Sequence, residues 1–235
     1  MNTQSIMVKH LLDLSIGTSR LSLKRWLEVF KLFRNVGIIE KSLSKDVLKK
    51  LNTYIKKHTL KKHNQSLAGN ISKSFIIKDK DDWFFNNVLK ININEYEAQY
   101  TTKATVPAVL TKNCKYKLNE FWVNFQKKYE FNTVHNHSGV FSFVVWIKIP
   151  SSYKKECKLP FVKNSNSKLP NTFQLLFINT LGHISTLSYN LESSDEGKML
   201  FFSSKYNHCV YPFYLSNKER ISISGNISLD PDNPI

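Results

Sequence analysis

The chain has 235 residues, with 41% hydrophobic and 13% aromatic content and a net charge of +16, which is enough apolar material for one large domain plus an extension. No apolar run approaches the roughly 18 residues that a membrane-crossing helix needs, and Lys9, Asp13 and Arg20 interrupt the N-terminal stretch where a secretory signal would be apolar. Three widely spaced cysteines, Cys114, Cys157 and Cys209, form no CxxC pair and no disulfide framework, so a soluble protein of the reducing cytoplasm is expected.

Residues 1–65 carry fourteen Lys and Arg against four Asp and Glu, a net +10. That excess fits a surface for nucleic acid or another acidic partner. It also fits the Lys-, Asn- and Ile-rich usage of an AT-rich coding sequence, because the lysines scatter around helices without forming a stripe. Within this segment "SLKRWLEVFKLFR" places Leu23, Trp26, Leu27, Phe30 and Phe33 at helical spacing among basic residues. The next element, "EKSLSKDVLKKLNTYIKKH", reads as a second helix. Ser44 is its N-cap, and Val47, Leu48, Leu51, Tyr54 and Ile55 form its buried face. "KKHNQSLAGNIS" reads as a loop, and "DKDDWFFNNVLKININEYEAQY" as a further helical region.

From about Lys115 the pattern changes to short segments rich in β-branched and aromatic residues, separated by turn chemistry: "KLNEFWVNFQKKYEF", "VFSFVVWIKIP", "TFQLLFINTL", "HISTLSYNL", "GKMLFFSS", "HCVYPFYL" and "RISISGNISL". Seven strands at about ten-residue spacing predict an antiparallel sandwich or barrel. "LSNKER" reads as a hairpin joining the last two strands, and "DPDNPI" as a polar tail. The division expected is a basic helical segment 1–65, a β-rich domain 66–230 and a tail 231–235.

Three features in the β-rich part carry chemistry. His135 and His137 stand two apart at a strand edge, where residues i and i+2 share a face. Two imidazoles so placed can clamp a first-row metal, although surface histidines also occur in this pattern. His208 lies 71 residues beyond His137, between an apolar run and another strand. It would close a three-ligand site, or else cap the "SSKYN" loop. Arg220 and Ser222 share one strand face, and an inward-pointing Arg is costly unless it meets an anion. Its fork suits a carboxylate held bidentately, and the alternative is pairing with a structural acid such as Glu219 or Asp230. On the strand after "VHNHSG", Phe141, Phe143, Val145 and Ile147 would wall one face and Trp146 the other.

Taken together, the order H-x-H, distal His, R-x-S resembles the 2-oxoglutarate and Fe(II)-dependent oxygenases. "FWVNFQKKYEFNTVHNHSGVFSFVVWIKIP" and "EGKMLFFSSKYNHCVYPFYLSNKERISISGNI", with "LAGNI" at Leu67–Ile71, are similar to the phage-type members of that group. The resemblance spans roughly residues 66–228. It implies an α+β chain whose double-stranded β-helix, a jelly-roll or cupin-like barrel, has N-terminal helices packed on it. It further implies Fe(II) on His135, His137 and His208, and 2-oxoglutarate as cosubstrate on Arg220, Ser222 and Asn124. The partners would be O2 and an unidentified substrate, hydroxylated in the cytoplasm, which is the host's if the gene is a phage's. Two positions depart from the pattern: His137 stands where these enzymes place a carboxylate, and Ser203 stands where a proline is expected. Glu120, Glu130, Asp195 and Glu196 are the nearest acids in sequence that could serve as the ligand instead. The alternative is a non-catalytic jelly-roll protein that binds nucleic acid or a protein through its basic face.

Overall fold

The computed structural model describes residues 37–57, 61–100, 114–179 and 181–234. The basic helix expected around Leu23–Phe33 lies outside them. Among these residues, ten strands form two antiparallel sheets. The larger contains β1 (Ile38–Ser42), β2 (Ser74–Ile76), β3 (Cys114–Gln126), β5 (Phe141–Lys148), β8 (Lys198–Ser203) and β10 (Arg220–Pro234) in the order β1-β8-β5-β10-β3-β2. The smaller contains β4 (Asn132–His135), β6 (Thr172–Ile178), β7 (Ile184–Asn190) and β9 (Asn207–Val210) in the order β4-β9-β6-β7. From β3 onward the chain passes repeatedly between the sheets, winding the double-stranded β-helix that the sequence blocks imply.

The outer face of the larger sheet is closed by helices. Ser44 caps α1 (Lys45–Lys56), its Oγ accepting from Val47 N at 3.3 Å, and Leu51, Tyr54 and Ile55 are the buried face. Asp79 ties this helix to the next helical region. It accepts from Tyr54 Oη at 3.0 Å and from the backbone N–H groups of Phe84 and Phe85 at 2.9 and 2.8 Å, so it neutralises orphan donors at a helix start. A π-helical turn at Phe85–Leu89 leads into α2 (Lys90–Tyr100), which buries Ile93 and Tyr96. These side chains share one core with Phe121, Phe143 and Phe201 of the sheet. Phe84 stacks on Phe121 at 5.7 Å, and each fully buried Phe of this kind contributes about 2–3 kcal/mol.

Four expectations are corrected by this packing. The compact unit begins at Gly37, not at residue 66, because β1 pairs with β8 and α1 fills the core behind it. β9 and β10 are not a hairpin: β9 pairs with β4 and β6, β10 with β3 and β5, and Tyr211–Glu219 crosses from one sheet to the other. The supposed tail continues β10, with Asp230 opposite Lys115 and Pro234 opposite Cys114. Phe141, Phe143 and Val145 belong mainly to the helix-side core, whereas Val144 and Trp146 pack toward the smaller sheet with Phe173 and Phe202. A sheet covered on both faces places large apolar residues on both faces of β5, so alternation alone does not say which face is the cavity.

Candidate metal and cosubstrate site

His135 of β4 stands directly opposite His208 of β9. Cross-strand partners project to the same face with closely spaced Cβ atoms, and the two rings lie 4.2 Å apart, centre to centre. His137 reaches them differently from the expected strand alternation, because β4 ends at His135 and His137 sits in the turn that follows. Ser204 holds that turn. Its carbonyl accepts from His137 N at 3.0 Å, its N–H donates to Val140 O at 3.0 Å, and its hydroxyl donates to Gly139 O at 2.6 Å. Gly139 permits the turn with φ of +93°. The His137 ring then lies 5.0 Å from His135 and 4.9 Å from His208. One ligand nitrogen from each of the three lies within 4.8 Å of the others, the one such cluster among the described residues.

The rings are prepared for a cation. His135 Nδ1 is 2.6 Å from Thr133 O and His208 Nδ1 is 3.1 Å from Tyr206 O. An Nδ1–H donated to a carbonyl leaves the Nε2 lone pair to coordinate, the usual outer support of a metal-bound imidazole. Burial pushes all three histidines below their ordinary value, and each other's charge adds to this at two of them: His137 falls to about 4 and His208 to about 3. They are therefore neutral at pH 7 and bind a metal without first losing a proton.

A stability prediction follows from these shifts. Between the ordinary histidine value and about 4, the unfolded chain binds protons that the folded chain refuses, so stability falls as pH drops through this window. Metal-free protein should melt about 5–10 °C lower at pH 5 than at pH 7, as scanning calorimetry would record. Replacing His137 and His208 together by Gln should flatten that dependence.

The segment "LAGNI" fixes the height of β4. Phe131 N donates to Asn70 O at 3.2 Å and Thr133 Oγ1 to Ala68 O at 3.1 Å. Gly69 lies so close beneath that a Cβ there would meet Phe131 O and come within 2.5 Å of Asn132 Cα. These are backbone atoms that cannot turn aside. Gly69→Ala is expected to cost about 1–3 kcal/mol and to lower metal occupancy by displacing His135, measured by denaturant melts and bound-metal analysis.

Arg220 begins β10 opposite Gln126, and Ser222 stands opposite Asn124. All four line the cavity that contains the three histidines. The guanidinium is 2% exposed. It donates from Nε and Nη2 to Gln126 Oε1 at 3.0 and 2.6 Å, from Nη1 to Asn171 Oδ1 at 2.9 Å and from Nη2 to Tyr211 O at 3.1 Å. Every one of these acceptors is neutral. The two acids named from the sequence as its alternative partners are engaged elsewhere: Glu219 with Lys73 and Asp230 with Lys117. Burial pulls the guanidinium down to about 9, opposed by the more distant Glu156 carboxylate, so it remains cationic at pH 7. A buried cation with neutral partners is a site for an anion. Asn124 Oδ1 accepts from Ser74 Oγ at 2.6 Å, which fixes its amide on the cavity wall. Trp122, also on this wall, has a buried indole N–H with no hydrogen-bond partner.

None of the alternative acids joins the three-histidine cluster. Glu120 accepts from Asn226, Glu130 from Ser72 N and Lys127 N, Asp195 from Glu192 N, and Glu196 from Ile149 N. The polar frame around Arg220, above all Gln126 and Asn171, and the Ser204 clamp were not identified from the sequence. Gln126 alone left a signal, since it shares strand parity with Asn124.

Residues 120–226 match the model of a family described as "Putative 2OG-Fe(II) oxygenase". Among solved structures, the chain is similar to a Pseudomonas putida prolyl-4-hydroxylase, with 11% identity over 82% of this chain and 92% of that one and a TM-score of 0.46. It is similar to a viral collagen prolyl hydroxylase from Paramecium Bursaria Chlorella virus-1 in complex with 2OG, with 13% identity, 81% and 95% coverage and a TM-score of 0.47. It is also similar to an oxidoreductase of the 2OG-Fe(II) oxygenase family from Burkholderia pseudomallei, with 12% identity, 83% and 87% coverage and a TM-score of 0.46. No curated protein matches the chain.

Proposed function

We infer that this 2-oxoglutarate- and Fe(II)-dependent oxygenase, the family to which residues 120–226 belong, is a hydroxylase that holds iron on His135, His137 and His208 and the far carboxylate of 2-oxoglutarate on Arg220. The observation that carries this reading is the presence, in one cavity, of three convergent neutral imidazoles and a buried guanidinium without an anionic partner. The finer assignment to the phage-type group rests on the two sequence blocks.

The donor set fits ferrous iron, since three imidazoles leave coordination positions open for a bidentate keto acid and for oxygen. Iron, 2-oxoglutarate and O2 together supply the oxidising power, 2-oxoglutarate leaving as succinate and CO2. The protein's residues do the rest. The Thr133 and Tyr206 carbonyls orient two of the ligand rings. Arg220 fixes the direction of the dicarboxylate, with Ser222 and Asn124 beside it on the same wall. Phe173 and Phe202, with ring centres 5.6 and 5.5 Å from that of His208, exclude water from the ligand side. The unpaired Trp122 N–H offers a donor to an oxygen of the bound species. With His137 in place of a carboxylate, the three protein donors are neutral, and the charge of a bound ferrous ion would be offset in formal charge by the dianionic cosubstrate alone.

Anaerobic titration of the Fe(II)-loaded protein with 2-oxoglutarate should develop a visible charge-transfer absorption. Admitting oxygen should then release one succinate for each 2-oxoglutarate consumed. A protein that binds iron yet shows neither the absorption nor succinate would refute this reading.

A further inference from the structure

We propose that Glu156, which lies outside the metal cavity, sets how tightly Arg220 holds the dicarboxylate cosubstrate, acting through a buried relay from Glu156 by way of Ser151 and Asn171; this rests on the reading of Arg220 as the 2-oxoglutarate anchor. The relay is continuous. Asn171 is fully buried, with φ of +55°. Both hydrogens of its amide are committed, to Ser151 O at 3.0 Å and Leu191 O at 2.8 Å. Its Oδ1 is thereby turned to Arg220 Nη1. The Ser151 hydroxyl donates in turn to Glu156 Oε1.

Glu156 ends the short helix α3 (Tyr153–Glu156) and is fully buried. Besides Ser151, it accepts from Tyr214 N at 3.1 Å on each oxygen and from Leu215 N at 3.0 Å. The chain so held is the crossing between β9 and β10. It also supplies the Tyr211 carbonyl that accepts from Arg220 and the Phe213 ring, 5.5 Å from the guanidinium carbon. One carboxylate therefore secures the guanidinium from two directions, by the relay and by the crossing segment.

Its charge has the opposite consequence. Like Arg220, Glu156 is buried among neutral hydrogen-bond partners. Between groups removed from water, Coulomb forces are weakly screened. A carboxylate arriving at Arg220 is thus attracted by the guanidinium and repelled by Glu156. Glu156 is a positioning residue whose hydrogen bonds strengthen cosubstrate binding and whose charge weakens it.

Glu156→Gln separates the two effects. Most of the hydrogen bonds fall on Oε1, which an amide oxygen can replace, while the charge is removed. The probes are 2-oxoglutarate and 2-oxopentanoate, the same keto acid without its second carboxylate, titrated anaerobically into Fe(II)-loaded full-length protein. Glu156→Gln should bind 2-oxoglutarate about five-fold more tightly and 2-oxopentanoate unchanged. Glu156→Ala, which removes the clamp as well, should bind 2-oxoglutarate about ten-fold more weakly than Glu156→Gln does. An unchanged affinity for 2-oxoglutarate in Glu156→Gln, or an equal change for both keto acids, would overturn the proposal, and the first variant decides the matter even where the second fails to fold. Wild-type protein that does not prefer 2-oxoglutarate over 2-oxopentanoate would instead overturn the Arg220 assignment, and this inference with it.

Discussion

Arg220→Ala is expected to weaken 2-oxoglutarate binding by about 100-fold, the worth of a charge-assisted hydrogen bond to a buried cation, while iron binding stays within about two-fold of wild type. The reasoning is spatial. The guanidinium lines the histidine cavity but stands outside the three-histidine cluster, so on the proposed reading its loss removes the anchor for the far carboxylate and leaves the metal donors in place. The substitution also strands Gln126 Oε1, Asn171 Oδ1 and Tyr211 O without their donor, so some loss of stability accompanies it. Arg220→Lys discriminates between charge and shape. An ammonium restores the charge but cannot reach three acceptors and a carboxylate at fixed fork angles, so only part of the affinity should return. Anaerobic titration of each variant, with a thermal melt to establish folding, measures both effects. Equal affinities in wild type and Arg220→Ala would remove the guanidinium from the cosubstrate site.

The second large effect is expected at His208. It is 5% exposed, and its ring centre is 4.2 Å from that of His135 and 4.9 Å from that of His137. His208→Ala should lower iron affinity by at least about 100-fold, since one of three protein ligands is lost and its support with it, and should abolish 2-oxoglutarate-dependent succinate formation. His137→Asp is the informative contrast. It supplies an anionic oxygen donor at a turn already held by Ser204, so iron should still bind. The ligand set becomes negative by one unit, and attraction for the dianionic cosubstrate should fall accordingly. Bound iron after anaerobic desalting, followed by succinate yield, reads both variants. Unaltered iron content in His208→Ala would exclude it as a ligand.

Much of this architecture was legible in the chain. Strands β3 and β5 to β10 carry enough β-branched and aromatic residues to be located, whereas the four residues of β4 are too few to stand out, and Ser44 marks the start of α1 as its side chain requires. His135, His208, Arg220 and Ser222 could be named because a strand fixes the face on which each side chain stands. What the sequence could not convey depends on contacts between segments far apart. His137 belongs to the site through a turn clamped by Ser204, 67 residues away, rather than through strand alternation. Asn171 and Glu156 lie outside the β-strands, and their roles arise only where the β9–β10 crossing folds over Arg220. The same crossing defeated the hairpin reading of "LSNKER". A short polar connection is consistent with a hairpin locally, but in a barrel wound between two sheets it joins strands that do not pair. The face of β5 that looks into the cavity was likewise hidden, because both of its faces are apolar.

The claim on which the account stands is that three imidazoles, two from β4 and its following turn and one from β9, surround a single ferrous ion. Diffraction from anaerobic Fe(II)-loaded crystals, recorded at the iron absorption edge, tests it most directly. The account predicts one anomalous peak about 2.0–2.2 Å from a nitrogen of each of His135, His137 and His208. A peak elsewhere, or none in protein loaded with one equivalent of iron, would contradict it.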